Sequence, residues 1–539
     1  MIFAQAKKKI ELKPVCNDPQ VPAECLVYIR SSAGIELDIL NLWRCKISLF
    51  VPPHRFKLLL LVTGIVACAD FHPGTARAQS VTSSGTGGDT ATGLQPSLMS
   101  QAPLEQARKQ TDVLPQPETI FVDPFGLISR LREHGISLVL DNVNEMSGMI
   151  NSPTPGLGLS KGASNTGQYS MENVIDWGRL AGVTGLSTHA VVVGRYGIPV
   201  SPMFGDMLLT PSQEIYGSGG NVFVHLVYAY ADETLFKDRL DIAAGRMSFL
   251  SDFSANPFYC NFMNNSFCGN PKAAGDNTAH ASYPDANWAL RFRIRPSATT
   301  IFQFGVYFTE TRSIYTNTQM RTGFKFNGAN IDGEAMPVEF TWAPRWGREH
   351  TLPGHYKFGF AYDTADHRDN YYDGNGNAFA LTGLPAREVH GAWAAWALLD
   401  QMVYHHPEGA ADAGISLLGV AYFNKPQTQT RSAQYSFGIF DRGFWKSRPS
   451  DAIGVDFAYS QISDDLTRSE RLFAQQNLPI PNGAFFPQTS TYNLEAIYQI
   501  HVMRGITFSP DFQYYIHPGG QKQLKNQALI GFKSHIALF

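Results

Sequence analysis

Between Trp288 and Arg295 the chain reads Trp-Ala-Leu-Arg-Phe-Arg-Ile-Arg, so Trp288, Leu290, Phe292 and Ile294 share one phase and Arg291, Arg293 and Arg295 the other. A period of two belongs to a strand, whose successive side chains leave opposite faces of the sheet. Arginines facing hydrocarbon would cost about 2–4 kcal/mol each near a bilayer midplane, whereas facing a water-filled lumen they cost little. This segment therefore wants one apolar surround and one wet one.

The same pattern recurs. Large apolar sets occur at Val222/Val224/Leu226/Tyr228/Tyr230, Phe302/Phe304/Val306/Phe308, Tyr356/Phe358/Phe360/Tyr362, Tyr435/Phe437/Ile439, Ile453/Val455/Phe457/Tyr459 and Tyr492/Leu494/Ala496/Tyr498/Ile500. Asp363, Asp456, Glu495 and Asp511 stand on the opposite phases, with Asp241 and Arg239 opposite Leu240, Ile242 and Ala244. Charged residues are only 17% and aromatics 12%, with 48 glycines, which favours an all-β chain with many turns. The net charge of −3 gives no basic footprint for nucleic acid.

Alternation alone fits either a soluble sandwich or a membrane barrel. Three features favour the barrel. Tyr228/Tyr230, Phe308, Tyr362, Tyr459 and Tyr514 sit at strand ends, where interfacial girdles need aromatics. The turn from Arg295 to Thr299 is short while Ser251–Asp285 and Asp363–Arg387 are long, the asymmetry of periplasmic turns and outer loops. The chain also stops on Phe539 inside an apparent strand, as outer-membrane barrels do when the assembly machinery reads their last residue. The expected fold is an all-β, transmembrane antiparallel β-barrel of 14 to 18 strands, about 16, with an even number expected.

Ahead of the barrel, residues 124–134 space Phe125, Ile128 and Leu131 as a short amphipathic periplasmic helix closed by Gly135. Residues 79–119 form a Ser/Thr/Gly/Pro-rich flexible lead-in. Residues 55–78 make a secretory signal, basic at Arg55 and Lys57, apolar from Leu58 and cut after Ala78; Cys68 offers a rival lipoprotein cut. Residues 1–54 precede that signal without periodicity and read as a mis-assigned start.

Export leaves Cys260 and Cys268 as an isolated pair, read as one disulfide worth roughly 2–3 kcal/mol. No G-x-S-x-G, H-E-x-x-H or phosphate loop occurs, so neither an enzyme nor a cofactor is expected. His405-His406 would point to opposite sides of a strand, and Asp369–Ala380 imitates a calcium loop only in part, so no metal is assigned.

Several pieces together resemble the carbohydrate-selective outer-membrane porins of the OprB type. They are Gly245-Arg246, Asp252-Phe253, Asn256-Pro257, Tyr259-Cys260-Asn261-Phe262, Cys268-Gly269-Asn270-Pro271, Trp288 leading to Pro296, Glu495, Tyr498, Pro510-Asp511-Phe512-Gln513-Tyr514 and His517-Pro518-Gly519-Gly520. The resemblance implies a 16-stranded barrel in the outer membrane that passes mono- or oligosaccharides by diffusion. Arg291, Arg293, Arg295, Arg239, Asp241, Asp363, Asp456, Glu495 and Asp511 are the candidate pore-lining residues, the arginines opposed by carboxylates across the lumen. Lipid or lipopolysaccharide, the barrel-assembly machinery and a second copy of the chain are the other expected partners. The rivals are a general non-selective porin, an outer-membrane barrel lipase or protease, and a secreted sandwich or lectin.

Overall fold

The computed structural model describes residues 118–539, apart from 208–209, 217–220, 269, 278, 311–322, 325–330, 348–351 and 408. The upstream extension, the signal segment and the lead-in as far as residue 117 lie outside the described residues.

Within the described residues one antiparallel sheet of 16 long strands closes on itself. The first half comprises β1 (Ile136–Met149), β2 (Ala163–Asp176), β3 (Leu186–Gly197), β4 (Val222–Leu235), β5 (Leu240–Met247), β6 (Asn287–Ser297), β7 (Thr300–Thr309) and β8 (Gly333–Trp342). The second comprises β9 (Leu352–Asp373), β10 (Ala386–His405), β11 (Gly414–Asn424), β12 (Arg431–Arg442), β13 (Ala452–Ile462), β14 (Ser490–Met503), β15 (Ile506–Ile516) and β16 (Gln527–Ala537). Each pairs with its successor, and β16 returns to β1 with Glu145 opposite Lys533, so no edge is left open.

The two faces sort as a wet-cored barrel requires. Phe358 and Phe437 are 56% and 57% exposed on the outside, while Lys357 and Asp456 on the opposite phase are buried. Trp342 packs with Trp346 and Tyr356 at the end of the short turns, at ring separations of 5.7 and 5.4 Å. Tyr459 packs with Tyr435 and Tyr492 at the end of the long loops, at 6.4 and 5.0 Å. These are two belts at the heights of the two interfaces.

Four details depart from the sequence reading. Tyr228 and Tyr230 do not join a belt. Val191 pairs with Tyr228 but Val192 pairs with Leu226, so Val227 is an extra residue that reverses the phase of β4 and turns both tyrosines inward. The helix, α1, is Leu127–Glu133 rather than 124–134, because Phe125 and Gly126 take left-handed backbone at φ 57° and 69°. Asp123 Oδ1 caps it by accepting from the Ile128 and Ser129 N–H groups at 2.9 and 3.2 Å. The stretch Asp363–Arg387 is mostly strand, since β9 continues to Asp373 and β10 starts at Ala386. Finally, β16 ends at Ala537, although pairing persists: Leu538 N–H donates to the Leu140 carbonyl at 2.8 Å and Leu140 N–H to the Phe539 carbonyl at 2.6 Å.

A second helix, α2 (Asp464–Gln475), stands in the outer loop 463–489 and has no counterpart in the alternation. Ser463 Oγ accepts from Leu466 N–H at 3.4 Å, and Asp464 and Asp465 meet the positive end of its dipole.

Candidate functional site

The third outer loop, 248–286, turns into the barrel instead of standing at its mouth. Its aromatic residues explain why: Phe249, Phe253, Phe262 and Phe267 are fully buried. They pack in one cluster with the inward-facing Tyr307, Trp396, Tyr422 and Phe440. Phe249 stacks on His280 of the same loop at 4.0 Å. Each buried phenyl contributes about 2 kcal/mol of apolar burial, which offsets the cost of ordering an irregular chain.

Buried backbone needs partners, and the asparagines supply some of them. Asn256 Oδ1 accepts from Phe258 N–H at 3.0 Å and Asn264 Oδ1 from Ser266 N–H at 2.8 Å, both Asx turns. The loop's own turns supply others, and the barrel wall adds more. Ser254 N–H donates to Glu339 at 2.9 Å, the Lys357 ammonium reaches the Ala255 carbonyl, and Asn256 Nδ2 donates to Asp400 at 3.2 Å. Lys533 Nζ donates to the carbonyls of Cys260 and Phe262 at 3.2 and 3.0 Å.

At the near end of the loop, Arg291 is the fastening. Its Nη2 donates to Asp241 at 2.9 Å and its Nη1 to Asp252 of the loop, whose other oxygen accepts from Tyr307 Oη at 2.6 Å. Arg293 donates Nε to Gln303 at 3.0 Å and lies 3.9 Å from both Asp241 and Asp252. The carboxylates that neutralise these arginines therefore come from the adjoining strand and the loop, not from across the lumen. The physical reason is proximity: Asp241 on β5 sits opposite Arg293, so no longer reach is needed.

At the far end the polarity reverses. Glu495 on β14 accepts the Met263 and Asn264 N–H groups at 2.5 and 2.9 Å. Asn264 Nδ2 donates to Gln513 at 2.9 Å and to Tyr515 Oη at 2.5 Å, and Gln513 Nε2 donates to Asp511 at 2.9 Å.

The other expected residues lie apart from these two clusters. Asp363 is paired with His367 at 2.5 Å inside β9. Asp456 is buried against Gly438 of β12, its opposite number in the ladder, where any side chain would meet its carboxyl. Arg295 donates to the Asp238 carbonyl at 2.7 Å, and Arg239 lies exposed in the β4–β5 turn; both belong to the end of the short turns.

Cys260 and Cys268 lie side by side with their sulfur groups joined by a hydrogen bond, and burial pushes the Cys268 thiol well above its ordinary pKa. Asp369 and Asp373, the acids of the calcium-like stretch, are turned onto N–H and O–H donors: Asp369 takes the Tyr371 and Tyr372 amides at 2.8 and 2.9 Å, and Asp373 takes the Thr382 hydroxyl at 2.8 Å. His406 faces Asp441 at 2.6 Å while His405 turns to the Ala410 carbonyl.

A further lumen group on β1–β4 and β16 escaped the sequence reading. Arg195 Nε donates to Gln168 at 2.7 Å and its guanidinium lies over the Tyr283 ring at 5.4 Å. Asp141 pairs with His535 at 3.0 Å, His189 with Asp232 at 2.6 Å and Lys533 with Glu145 at 3.2 Å. Part of the loop between β3 and β4 also enters here: Gln213 Nε2 donates to the Glu145 and Ser164 carbonyls at 3.0 and 3.1 Å. The polar phase of β1 and β2 was the available signal, but their outward phase is polar too, with Asn142, Asn144 and Asn173.

With this geometry in place, the comparisons are specific. The profile of the carbohydrate-selective porins, OprB family, matches residues 160–538. Porin B of Pseudomonas aeruginosa is 28% identical over 428 residues, 78% of this chain and 91% of that protein. A putative porin, QuiX, of Acinetobacter baylyi is 23% identical over 398 residues, 71% of this chain and 85% of that one. The high-pH structure of Pseudomonas putida OprB superposes with a TM-score of 0.71 at 26% identity, covering 78% of this chain and 99% of that one.

Proposed function

The chain belongs to the carbohydrate-selective porins of the OprB family, and from that premise we propose that loop 248–286 is the element that makes its channel selective. The protein is an outer-membrane barrel for passive diffusion of sugars, not an enzyme. One observation carries the proposal. The loop is fastened to Arg291 on β6 and to Glu495 on β14, strands eight apart in a ring of 16 and therefore on opposite walls. A segment held at both walls narrows the lumen across its width. Sugars then exchange water for hydrogen bonds with the polar wall, and Arg291 and Arg293 act by holding the loop in place.

Liposome swelling with a panel of mono- and disaccharides tests this. Wild type should discriminate among sugars of one size, and Arg291→Ala should raise the rates and flatten them. Equal wild-type rates for all solutes of one size would establish a general pore instead.

Three further partners follow from particular features. The outward face of β1–β2 carries Asn144 and Asn165, whose amides bond each other reciprocally at 2.8 Å where lipid-facing residues elsewhere are phenyl and aliphatic. This supports packing of that face against a second copy, and cross-linking in native membranes tests it. The two aromatic belts support embedding between phospholipid and lipopolysaccharide. Phe539, bonded to β1 through its carbonyl, supports a terminal signal for barrel assembly; deleting it should reduce the heat-modifiable, folded form. The adjacency of Cys260 and Cys268 also supports a disulfide in the exported protein. Alkylation before and after reduction should then label these thiols only after reduction.

A further inference from the structure

The segment that leads into β1 is laid along the periplasmic rim and fixed there at both ends. The Ile120 and Phe121 N–H groups donate to the Ala537 and Leu538 carbonyls at 2.9 and 3.0 Å, prolonging the sheet past β16. From the end of β14 and its turn, His501 Nε2 meets Glu118 at 2.8 Å and Arg504 Nε donates to the Thr119 carbonyl at 2.9 Å. The contact is close enough that a β-carbon on Gly505 would meet the Ile120 nitrogen at 2.6 Å. At the other end, Asp176 N–H at the foot of β2 donates to the Gly135 carbonyl at 2.7 Å.

A segment held so firmly nevertheless leaves its apolar side chains bare. Between residues 120 and 134 only Ile128 is buried. Phe125 is fully exposed, and Phe121, Val122 and Leu127 are each more than half exposed. Single exposed apolar residues are ordinary, but a group of them on one rim marks a contact surface. Phe125 also holds left-handed backbone at φ 57°, a conformation that residues with a β-carbon adopt at a cost. The group continues a surface that the barrel already turns to lipid. Val502 and Met503, just past the outward set ending at Ile500, are more than half exposed. Beside them Trp445 packs on Tyr498 at 5.9 Å and on Phe444 at 4.9 Å, part of the belt at the short-turn end. Arg130 and Arg504 are exposed on the segment and on the turn that holds it. Glu133 is the exposed acid of α1, while His501 engages Glu118 and the Ile128 and Ser129 amides engage Asp123.

We propose that residues 120–133 are an interfacial anchor that seats Phe121, Val122, Phe125 and Leu127 in the phospholipid leaflet at the periplasmic side. Short apolar stretches with flanking cations lie in the plane of such an interface, side chains in the acyl boundary and cations at headgroup phosphates. The clasp on the β16 end and the β14–β15 turn fixes the segment where the sheet leaves the hydrocarbon. Insertion therefore orders little that is not already ordered. The barrel is then held in the membrane by its wall and, separately, by the chain that precedes it. A second copy of the chain or the lead-in up to residue 117 would instead cover these side chains with protein, and the test separates protein from lipid. The anchor does not rest on the reading of the barrel as a sugar channel.

The test is a nitroxide attached to Val122→Cys, with Phe125 intact, in the full exported chain reconstituted into vesicles of phosphatidylethanolamine and phosphatidylglycerol. Its collisions with oxygen, which dissolves in lipid, are compared with those with a water-soluble nickel chelate; the unsubstituted chain gives the blank for Cys260 and Cys268. The label should collide often with oxygen and rarely with nickel, and a label at Glu133→Cys should show the opposite. Adding Phe125→Ser to the Val122→Cys chain should raise nickel collisions about threefold, because the largest inserted side chain is gone. Nickel collisions at 122 equal to those at 133 would place the segment in water and overturn the anchor. Few collisions with either reagent would show protein packed on it, a second copy or the lead-in, and would overturn it equally. Heat-modifiable migration verifies folding; should Val122→Cys not fold, Leu127→Cys carries the same probe. Glucose swelling of liposomes holding Phe125→Ser should stay within about twofold of wild type; loss of glucose flux in wild type itself would count against the channel reading and not against the anchor.

Discussion

The two anchors of loop 248–286 do the same work with opposite chemistry. On β6 a wall cation, Arg291, takes two carboxylates, one from the wall and one from the loop. On β14 a wall carboxylate, Glu495, takes two backbone amides of the loop. The near anchor depends on side chains at both partners, so each partner left alone is a buried charge. The far anchor sets one charged side chain against backbone amides that any residue provides, with neutral side-chain bonds from Asn264 to Gln513 and Tyr515 beside it. Charge–charge fastening is thus the more brittle, and amide fastening the more forgiving.

That difference can be broken open by substitution. Arg291→Ala should be the most damaging change, about 3–5 kcal/mol, because Asp241 and Asp252 would stay buried without their cation. The folded form should lose heat resistance on gels and single-channel conductance should rise. Glu495→Gln keeps the shape and one acceptor but sets an amide NH2 against loop N–H groups, an expected loss of about 1–3 kcal/mol with a smaller conductance rise. Asn264→Ala removes the donor to Gln513 and Tyr515 and should cost about 1–2 kcal/mol. Sugar discrimination should survive Asn264→Ala better than Glu495→Gln, and the reverse order would show that the far anchor rests on the asparagine.

The smallest effect lies outside both anchors and serves as their control. Burial pushes the Glu470 carboxyl on α2 up to about 7, although the Gln488 amide and Asn482 Nδ2 bond it at 2.6 and 2.8 Å. Its folded pKa exceeds the unfolded one, so its contribution is fully present below the unfolded value and declines as pH rises through about 7. Hydrogen exchange over 464–489 should be slower at pH 5 than at pH 8 after correction for intrinsic rates, and Glu470→Gln should abolish the difference. Conductance should not follow it.

How much of this the residues announced depends on what each strand faces. On β6, β9 and β12–β15 the outward residues are large and apolar and the inward ones polar, so Phe358 against Lys357 or Phe457 against Asp456 declares both strand and side. On β1 and β2 both phases carry polar residues, Asn142 beside Asp141 and Tyr169 beside Gln168, and the alternation disappears although the strands are as long. The inward facing of Asp241, Arg291, Arg293, Glu495 and Asp511 was legible; their partners were not. Met263 and Glu495 are 232 positions apart, and no local period links them. The inward fold of the loop was hidden for the same reason, since only Phe249 and Phe253 share a helical spacing and Phe262 and Phe267 follow none. The reversal of β4 at Val227 needs a bulge that composition does not mark.

The distance between the anchors along the chain also sets an order of assembly. Asp252 meets Arg291 after 39 residues, but Asn264 meets Gln513 only after 249. Closing the longer link costs more entropy and requires β14 and β15 to be in place already. The loop can be tied down at its near end early, while its far end must wait for the last strands. A wall that still lacks β14 and β15 therefore carries the loop without its far fastening.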